Sequence, residues 1–431
     1  MVYIFLRDAK KMSAKGNLEP FNPKKYSVDQ LIDALKALCY QKYHPSNGPI
    51  WLDQKESPDP KFLIPFRNGL LNLTEWLQTP STELIPHSPS LLNGYALPFD
   101  FTPQGAQICK WATFLDALWP NDSESKELLQ EWMGYLLLQD TSMQKILLII
   151  GPPRSGKGTI GRITRELLGS FDVVGPTLSS LSGEFGLEPL LNKSLALISD
   201  ARLSGNSGNH VIIERLLSIS GEDPLTINRK YNSPLTVQLP TRLMLMSNEL
   251  PDIKDPSGAL ANRYVVLTLK NSWLGKEDPM LFAHLQVELP DILTWALEGL
   301  KRLKKRGCFK QPASSHQTIE DLEAVTSPIR SFVSERCILS PNKLTVISEL
   351  YHEWCTWCLE SGFSKPGSVQ LFGKNLRTAY PELYSVRPQE DYNRTRVYKG
   401  IALRENVQAS EDVRSQPYNP FEISINSTKG F

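Results

Sequence analysis

Apolar positions recur with a helical period in one stretch of the first sixty residues, SVDQLIDALKALCYQ. There Leu31, Ile32, Leu35, Leu38 and Cys39 share a face, and Ser27 or Asp29 supplies a start. Residues 61–105 lose that period and read as short strands and turns, clearest in NGLLNL and the Pro-rich ELIPHSPSLLNGYALPFDFTP. Two amphipathic helices are predicted next, around Cys109–Leu118 and Glu127–Leu138. In the second, Leu128, Leu129, Trp132, Met133 and Leu136 recur at i, i+3 and i+4. From Lys145 the pattern changes to short apolar runs, KILLII, SLALIS, TRLMLMS and RYVVLTL, alternating with helices. Runs apolar on both faces belong to a sheet covered by helices, an α/β core. It closes near the helix PDILTWALEGLKRLKKRG, whose run of cations before Gly307 suits a helix C-terminus.

A polar linker is expected at 312–327, then a smaller unit to about Arg404 and a flexible tail over 405–431. The expected division is an extension over 1–60, an α-rich adaptor or collar over 61–140, the core over 141–311 and the small unit over 328–404. With 47 Lys+Arg against 46 Asp+Glu the net charge is +1, which excludes a uniformly basic surface but not a local basic patch. Residues 363–404 hold such a patch, eight Lys/Arg against three acids. No apolar run approaches a membrane span of about 18 residues, and the opening MVYIFLRDAKK is too weakly apolar for a signal peptide. Six scattered cysteines fit a reduced, soluble, cytoplasmic protein. Cys355 and Cys358 form a lone CxxC inside a helical run and read as buried helix residues rather than a metal or redox pair.

The sharpest chemical signal is KILLII-GPPRSGKGT-IGRITRELLG, a GxxxxGK loop between a strand and a helix. Glycines let backbone N–H groups turn round a phosphate, and the helix N-terminus favours the anion. The nucleotide-binding residues are then Gly151, Pro152, Pro153, Arg154, Ser155, Gly156, Lys157, Gly158 and Thr159, with Lys157 reaching the β- and γ-phosphates. Gly158 stands where a Mg²⁺-ligating Ser or Thr normally follows the lysine. Either Thr159 takes that role or water holds the metal.

A second element, LALISD, ends in Asp200, the candidate Mg²⁺ carboxylate. The next residue is Ala201 rather than a second acid, so the general base is either Asp200 itself or Glu214. TRLMLMS ends beside Asn248, which is either a γ-phosphate sensor or a turn former. Arg263 opens the last strand, as a finger for a neighbouring subunit's ATP or as a surface arginine. Between the acid and sensor strands, Leu225 and Ile227 alternate toward a turn at Asn232–Pro234, and Leu235, Val237 and Leu239 alternate back. Arg229, Lys230 and Tyr231 near that tip suit a nucleic-acid backbone and a stacked base, unless the hairpin is merely solvated.

In their order, FRNGLLNL, ELIPHSP, LLQEWMGYLLLQDTSMQK, GPPRSGKGT, LALISDARLSG, SISGEDPLTINRKY, LMLMSNELP, GALANRYVVL and WALEGLKRL resemble the helicase portion of phage and plasmid primase–helicases. These are superfamily 3 helicases related to the poxvirus primase–helicase. The resemblance runs from about Phe62 to Arg404. It implies an AAA+-like P-loop NTPase core, usually in a hexameric ring around single-stranded DNA, moving 3′-to-5′ on ATP and Mg²⁺ in replication of a mobile element. It places Lys157 and Thr159 in the first nucleotide motif, Asp200 in the second, Asn248 as sensor, Arg263 as finger, and Arg229 and Lys230 in a DNA-gripping hairpin. Residues 328–404 resemble the winged-helix unit after such cores, with Lys374, Arg377, Arg394 and Arg396 as DNA contacts. Only 150 residues precede the loop and they lack a DxD pair, so no primase activity is expected here and a separately encoded primase is a candidate partner. Two other classes compete: a nucleotide-binding DNA initiator or scaffold with little turnover, suggested by Ala201, and a nucleoside monophosphate kinase, suggested by the loop alone.

Overall fold

The computed structural model describes residues 9–13, 15–21, 24–38, 49–53, 58–79, 83–93, 96–102, 108–201, 209–251, 255, 258–362, 366–387 and 396–404. The chain divides into two compact units, Met1–Asn47 and Gly48–Phe431. In the first, strands β1 (Lys10–Met12) and β2 (Leu18–Pro20) form an antiparallel pair, and α1 spans Lys25–Leu38. Only Val28 of α1 is buried, and Leu35 and Leu38 of its expected apolar face are exposed. Cys39, on the same expected face, lies outside the described residues.

In the second unit β3 (Ile50–Trp51) pairs with β6 (Leu91–Leu92), while β4 (Leu63–Phe66) and β5 (Gly69–Asn72) form a hairpin. Residues 50–51 are thereby tied to the segment after residue 60, where the sequence reading had placed a boundary. Helices α2 (Leu73–Gln78), α3 (Cys109–Leu118) and α4 (Ser123–Tyr135) follow.

The core is a five-stranded, all-parallel sheet of β7 (Ile146–Ile150), β8 (Val173–Val174), β9 (Leu195–Ile198), β12 (Arg242–Ser247) and β13 (Tyr264–Thr268), in the order β13-β7-β12-β9-β8. Helix α5 (Lys157–Leu168) follows β7, α6 (Leu178–Leu181) follows β8, and α7 (Asn209–Ser220) follows β9. The hairpin of β10 (Leu225–Arg229) and β11 (Asn232–Val237) is inserted before β12. After β13 come α8 (Leu281–Val287), α9 (Leu289–Arg306) and α10 (His316–Thr326).

Because side chains alternate along a strand, each strand feeds two cores. Leu147, Ile149, Met244, Met246, Val265 and Leu267 join α3, α4, α5 and α9 on one face. Ile146, Leu148, Ile150, Leu243, Leu245 and Val266 join α6, α7 and α10 on the other. That double burial is why these strands read as unbroken apolar runs. The expected 312–327 linker contains helix α10 instead. Its Leu322 is buried and Ile319 packs beside it, a stripe too narrow to stand out in a polar sequence. Just before it, the Gln311 side-chain amide exchanges hydrogen bonds with the Val266 N–H (2.9 Å) and C=O (2.8 Å), pairing backbone groups on the edge strand β13.

A third core holds α11 (Pro328–Arg336), β14 (Cys337–Val346), α12 (Ile347–Glu360), α13 (Val369–Ala379), β15 (Tyr384–Val386) and β16 (Val397–Leu403). Its antiparallel sheet runs β14-β16-β15, and Phe332, Trp354, Trp357 and Phe372 meet at its centre. Cys355 and Cys358 lie on α12 against this cluster, and burial pushes the Cys358 thiol up to about 12. The cations before Gly307 do more than offset a dipole. Arg302 and Arg306 both pair with the buried Glu131 of α4, and Lys304 pairs with Asp140 at 2.5 Å. No described helix is long and apolar enough to cross a membrane.

Candidate functional site

Strand order reverses around β7, with β12, β9 and β8 on one side and β13 on the other. In an open parallel sheet such a switch point opens a crevice at the carboxyl ends of the strands. The phosphate-loop sequence leaves β7 at that end. Gly156 caps α5 in the left-handed region (φ 97°), and a side chain there would meet Phe114 and Leu118 of α3 within 3.3 Å. Ser155 and Lys157 are buried. The Lys157 ammonium donates to the carbonyls of Gly151 (2.5 Å) and Pro152 (2.8 Å) and to Ser155 Oγ (3.2 Å), and burial holds its pKa below the ordinary lysine range. These partners are carbonyl and hydroxyl groups, so the ammonium's positive charge is left for an anion at the loop.

The loop opens on a cleft of about 970 Å³, lined by Arg154, Ser155, Gly156, Lys157, Gly158 and Thr159 together with Asn248. Its other walls were not foreseen. Helix α3 contributes Lys110, Thr113 and Phe114, and the segment after β13 contributes Trp273, Lys276 and Phe282. That segment is tied to the loop by Ser272 Oγ donating to the Pro153 carbonyl (2.7 Å) and the Trp273 N–H donating to the Arg154 carbonyl (3.0 Å). Arg162 of α5 stacks over the Phe282 ring at 4.5 Å. Glu277, paired with Arg154 at 3.4 Å, and Asp278 also line the cleft, but cations outnumber them, and with three aromatics beside the loop the lining suits a phosphorylated ligand with a flat ring.

Asp200 is exposed just past the carboxyl end of β9, two strands from β7, about 10 Å away by strand spacing. Ser199 lines the cleft; Asp200 and Glu214, exposed on α7, do not. Ala201 is fully buried in the second core, its N–H donating to the Met246 carbonyl at 2.9 Å. The missing second acid thus corresponds to a core position. Among the described residues, no cluster of three or more His, Cys, Asp or Glu forms a metal centre.

The hairpin turns at Lys230–Tyr231, between the paired Arg229 and Asn232, two residues earlier than expected. The sequence reading placed the turn on Asn232–Pro234. Pro234 instead lies within β11 of a two-stranded pair, where it has an outer side on which no N–H is needed. Consequently Lys230 and Tyr231 form the tip itself. Tyr231 is 93% exposed, with φ at 62° and the Lys230 ammonium 5.4 Å from its ring. Glu188 accepts from the Lys230 backbone N–H, the Arg229 side chain donates to the Ser233 carbonyl, and Ile227 anchors the base of the hairpin in the second core.

Arg263 lies at the amino end of β13, beside the start of β7 and so at the opposite end of the sheet from the phosphate loop. Its Nη1 donates to the carbonyl (3.3 Å) and side-chain Oε1 (2.5 Å) of Gln144. Neighbouring Lys145 donates to the Asn262 carbonyl, and burial, then Arg263, lowers its pKa. In the C-terminal core, Lys374 and Arg377 lie one turn apart on the exposed face of α13, and Arg396 is exposed just before β16. Arg394 and the 405–431 tail lie outside the described residues.

Residues 149–263, a stretch that includes Lys157, Asp200, the hairpin, Asn248 and Arg263, match the family of unknown function DUF5906. Among solved structures, the chain is similar to an apo structure of the NrS-1 C-terminal region, with a TM-score of 0.47 and 13% identity over 79% of this chain and 96% of that one. An A-form apo structure of the same region gives a TM-score of 0.44 and 14% identity over 77% and 91%. A structure of JCV helicase bound to an acetamide compound gives a TM-score of 0.26 and 17% identity over 50% and 65%.

Proposed function

We propose that this chain is an ATP hydrolase that drives movement along single-stranded DNA, a superfamily 3-type helicase acting 3′-to-5′ in replication of a phage, plasmid or related mobile element. The observation that carries the reading is the pairing, in one folded unit, of a phosphate-loop cleft with a hairpin whose exposed tip is a cation beside an aromatic. In this reading Lys157 and the loop N–H groups hold the phosphates. Thr159 and Asp200 hold Mg²⁺ with water and phosphate oxygens completing its shell; magnesium needs only one or two protein carboxylates. Asn248 senses the γ-phosphate, and Arg263 acts on the nucleotide of a neighbour in a ring, usually of six subunits.

Arg229, Lys230 and Tyr231 grip the DNA strand. The succession helix, strand, two helices and two strands after residue 328 is read as a winged helix, with Lys374, Arg377, Arg394 and Arg396 on the DNA.

The buried Ala201 and the position of Asp200 outside the cleft lining favour one second reading, a nucleotide-binding initiator with little turnover. DNA-stimulated ATP hydrolysis decides between them. The motor reading expects turnover that DNA stimulates and Lys157→Ala abolishes. Tight ATP binding without turnover would leave the initiator reading, and phosphoryl transfer to a nucleoside monophosphate would replace both with a kinase.

A further inference from the structure

Backbone strain singles out the surroundings of Arg263. Six described residues other than glycine adopt a left-handed conformation: Asn121, Gln144, Arg154, Asn192, Glu222 and Tyr231. Asparagine visits this region readily; the other four residue types do so at a cost of order 1 kcal/mol or more. Of those four, Arg154 is in the phosphate loop and Tyr231 is at the hairpin tip. Gln144 (φ 50°) and Glu222 (φ 67°) come from different loops and meet each other beside Arg263.

We propose that Gln144, held by Glu222, is a positioning residue for Arg263; the inference rests on the reading of Arg263 as a finger acting on a neighbour's nucleotide. The contacts form a chain. Thr141 Oγ1 donates to Glu222 Oε1 at 2.5 Å. The Gln144 side-chain amide donates to Glu222 Oε2 and to the Gly221 carbonyl, both at 3.4 Å. Gln144 Oε1 then accepts from Arg263 Nη1 at 2.5 Å. Gly221 lies beside the guanidinium: a side chain there would begin 3.5 Å from Arg263 Nη2, in ordinary contact, and its obstacle would be the Leu217 carbonyl oxygen at 2.8 Å.

The chemistry of the contact matters as much as its geometry. An amide oxygen orients a guanidinium without neutralising it, whereas a carboxylate would make a bidentate pair and take up the charge. Among the described residues no carboxylate is ion-paired with Arg263, and only Nη1 of its three nitrogens is engaged by Gln144. Nη2 and Nε are left to meet an incoming anionic oxygen. Glu222 stands one residue further back, where its charge fixes the amide rather than the arginine.

Steady-state ATP hydrolysis by the full chain with single-stranded DNA tests this, using Gln144→Gly, Gln144→Glu and Arg263→Ala. Glycine relieves the left-handed strain, so Gln144→Gly should melt no lower than the parent protein. It should keep its KM for ATP and its oligomeric state while kcat falls by up to about 100-fold, as for a misplaced catalytic group. A merely structural role would lower the melting temperature and spare kcat per folded molecule. Gln144→Glu should also lose kcat, because its carboxylate engages Arg263. Mixing Gln144→Gly with Lys157→Ala subunits should restore turnover above either alone, since the second supplies a correctly held Arg263 to the first's intact loop. Normal kcat in Gln144→Gly alongside an inactive Arg263→Ala would overturn the positioning role alone. Normal kcat in Arg263→Ala would instead remove the finger reading beneath it.

Discussion

Ala201 follows the candidate metal carboxylate, at the place where many nucleotide hydrolases carry a second acid. Its side chain lies fully within the second core. A carboxylate introduced there would be buried without a partner, which costs on the order of several kcal/mol. Ala201→Glu is therefore expected to lower the urea midpoint strongly and to leave ATP turnover no higher; a stable, faster enzyme would contradict the core assignment. Asp122 shows the opposite economy of charge. It caps α4, accepting from the Ser125 N–H (3.0 Å), Ser125 Oγ (2.7 Å) and Ser314 Oγ (2.6 Å). Burial raises its pKa, but hydrogen bonds from Ser314 and Ser125 outweigh that and hold it below the ordinary carboxylate range. The group is lowered on folding, so its stabilisation is complete above about pH 4 and fades as pH falls through the folded pKa. Asp122→Ala should cost about 1 kcal/mol at neutral pH, and the difference from the parent should shrink in acid denaturation below pH 4.

Helices α4 and α9 meet through glycines on both sides. A side chain at Gly299 would begin 2.5 Å from the Gln130 backbone carbon, and one at Gly134 would begin 2.2 Å from the Ala296 carbonyl oxygen. Alanine improves helix propensity by about 1 kcal/mol, but here the obstacle is the backbone of the facing helix, which yields only by separating the pair. Overpacking of that kind costs about 1–3 kcal/mol and also loosens the Glu131–Arg302–Arg306 contact. Gly299→Ala should thus be net destabilising in calorimetry, and a raised melting temperature would show that propensity wins.

Elements differ in how far their sequence announces them. The strand, glycine loop and helix around Lys157 were legible because their pattern falls on consecutive residues. The opposite cleft walls, Lys110 and Thr113 on one side and Trp273 and Phe282 on the other, come from segments far apart in the chain that only packing brings together. The hairpin was legible by alternation, but its turn was misplaced because Asn232 and Pro234 are strong turn formers and Tyr231 is not. Helix α10 was missed because its buried stripe is so narrow.

Across the whole second unit, the phosphate loop and Arg263 lie at opposite ends of one sheet. The five residues of β7 separate them by about 16 Å, and the guanidinium is bonded to Gln144 at that far end. No side-chain rotation carries Arg263 to the Lys157 loop of its own chain. If Arg263 serves hydrolysis, a second copy must bring its amino-end face against the first copy's cleft, so the competent unit contains more than one chain. Specific ATPase activity should then rise with protein concentration and level off where sedimentation shows the oligomer complete. An arginine finger contributes about 10³–10⁵ in rate in other nucleotide hydrolases, so the dilute, dissociated chain should retain only a small residue of turnover. Arg263→Ala should hold activity at that low level at every concentration while still assembling. Full turnover in a dilute monomer would mean that hydrolysis is completed within one chain, and Arg263 would be left as an ordinary strand-end arginine.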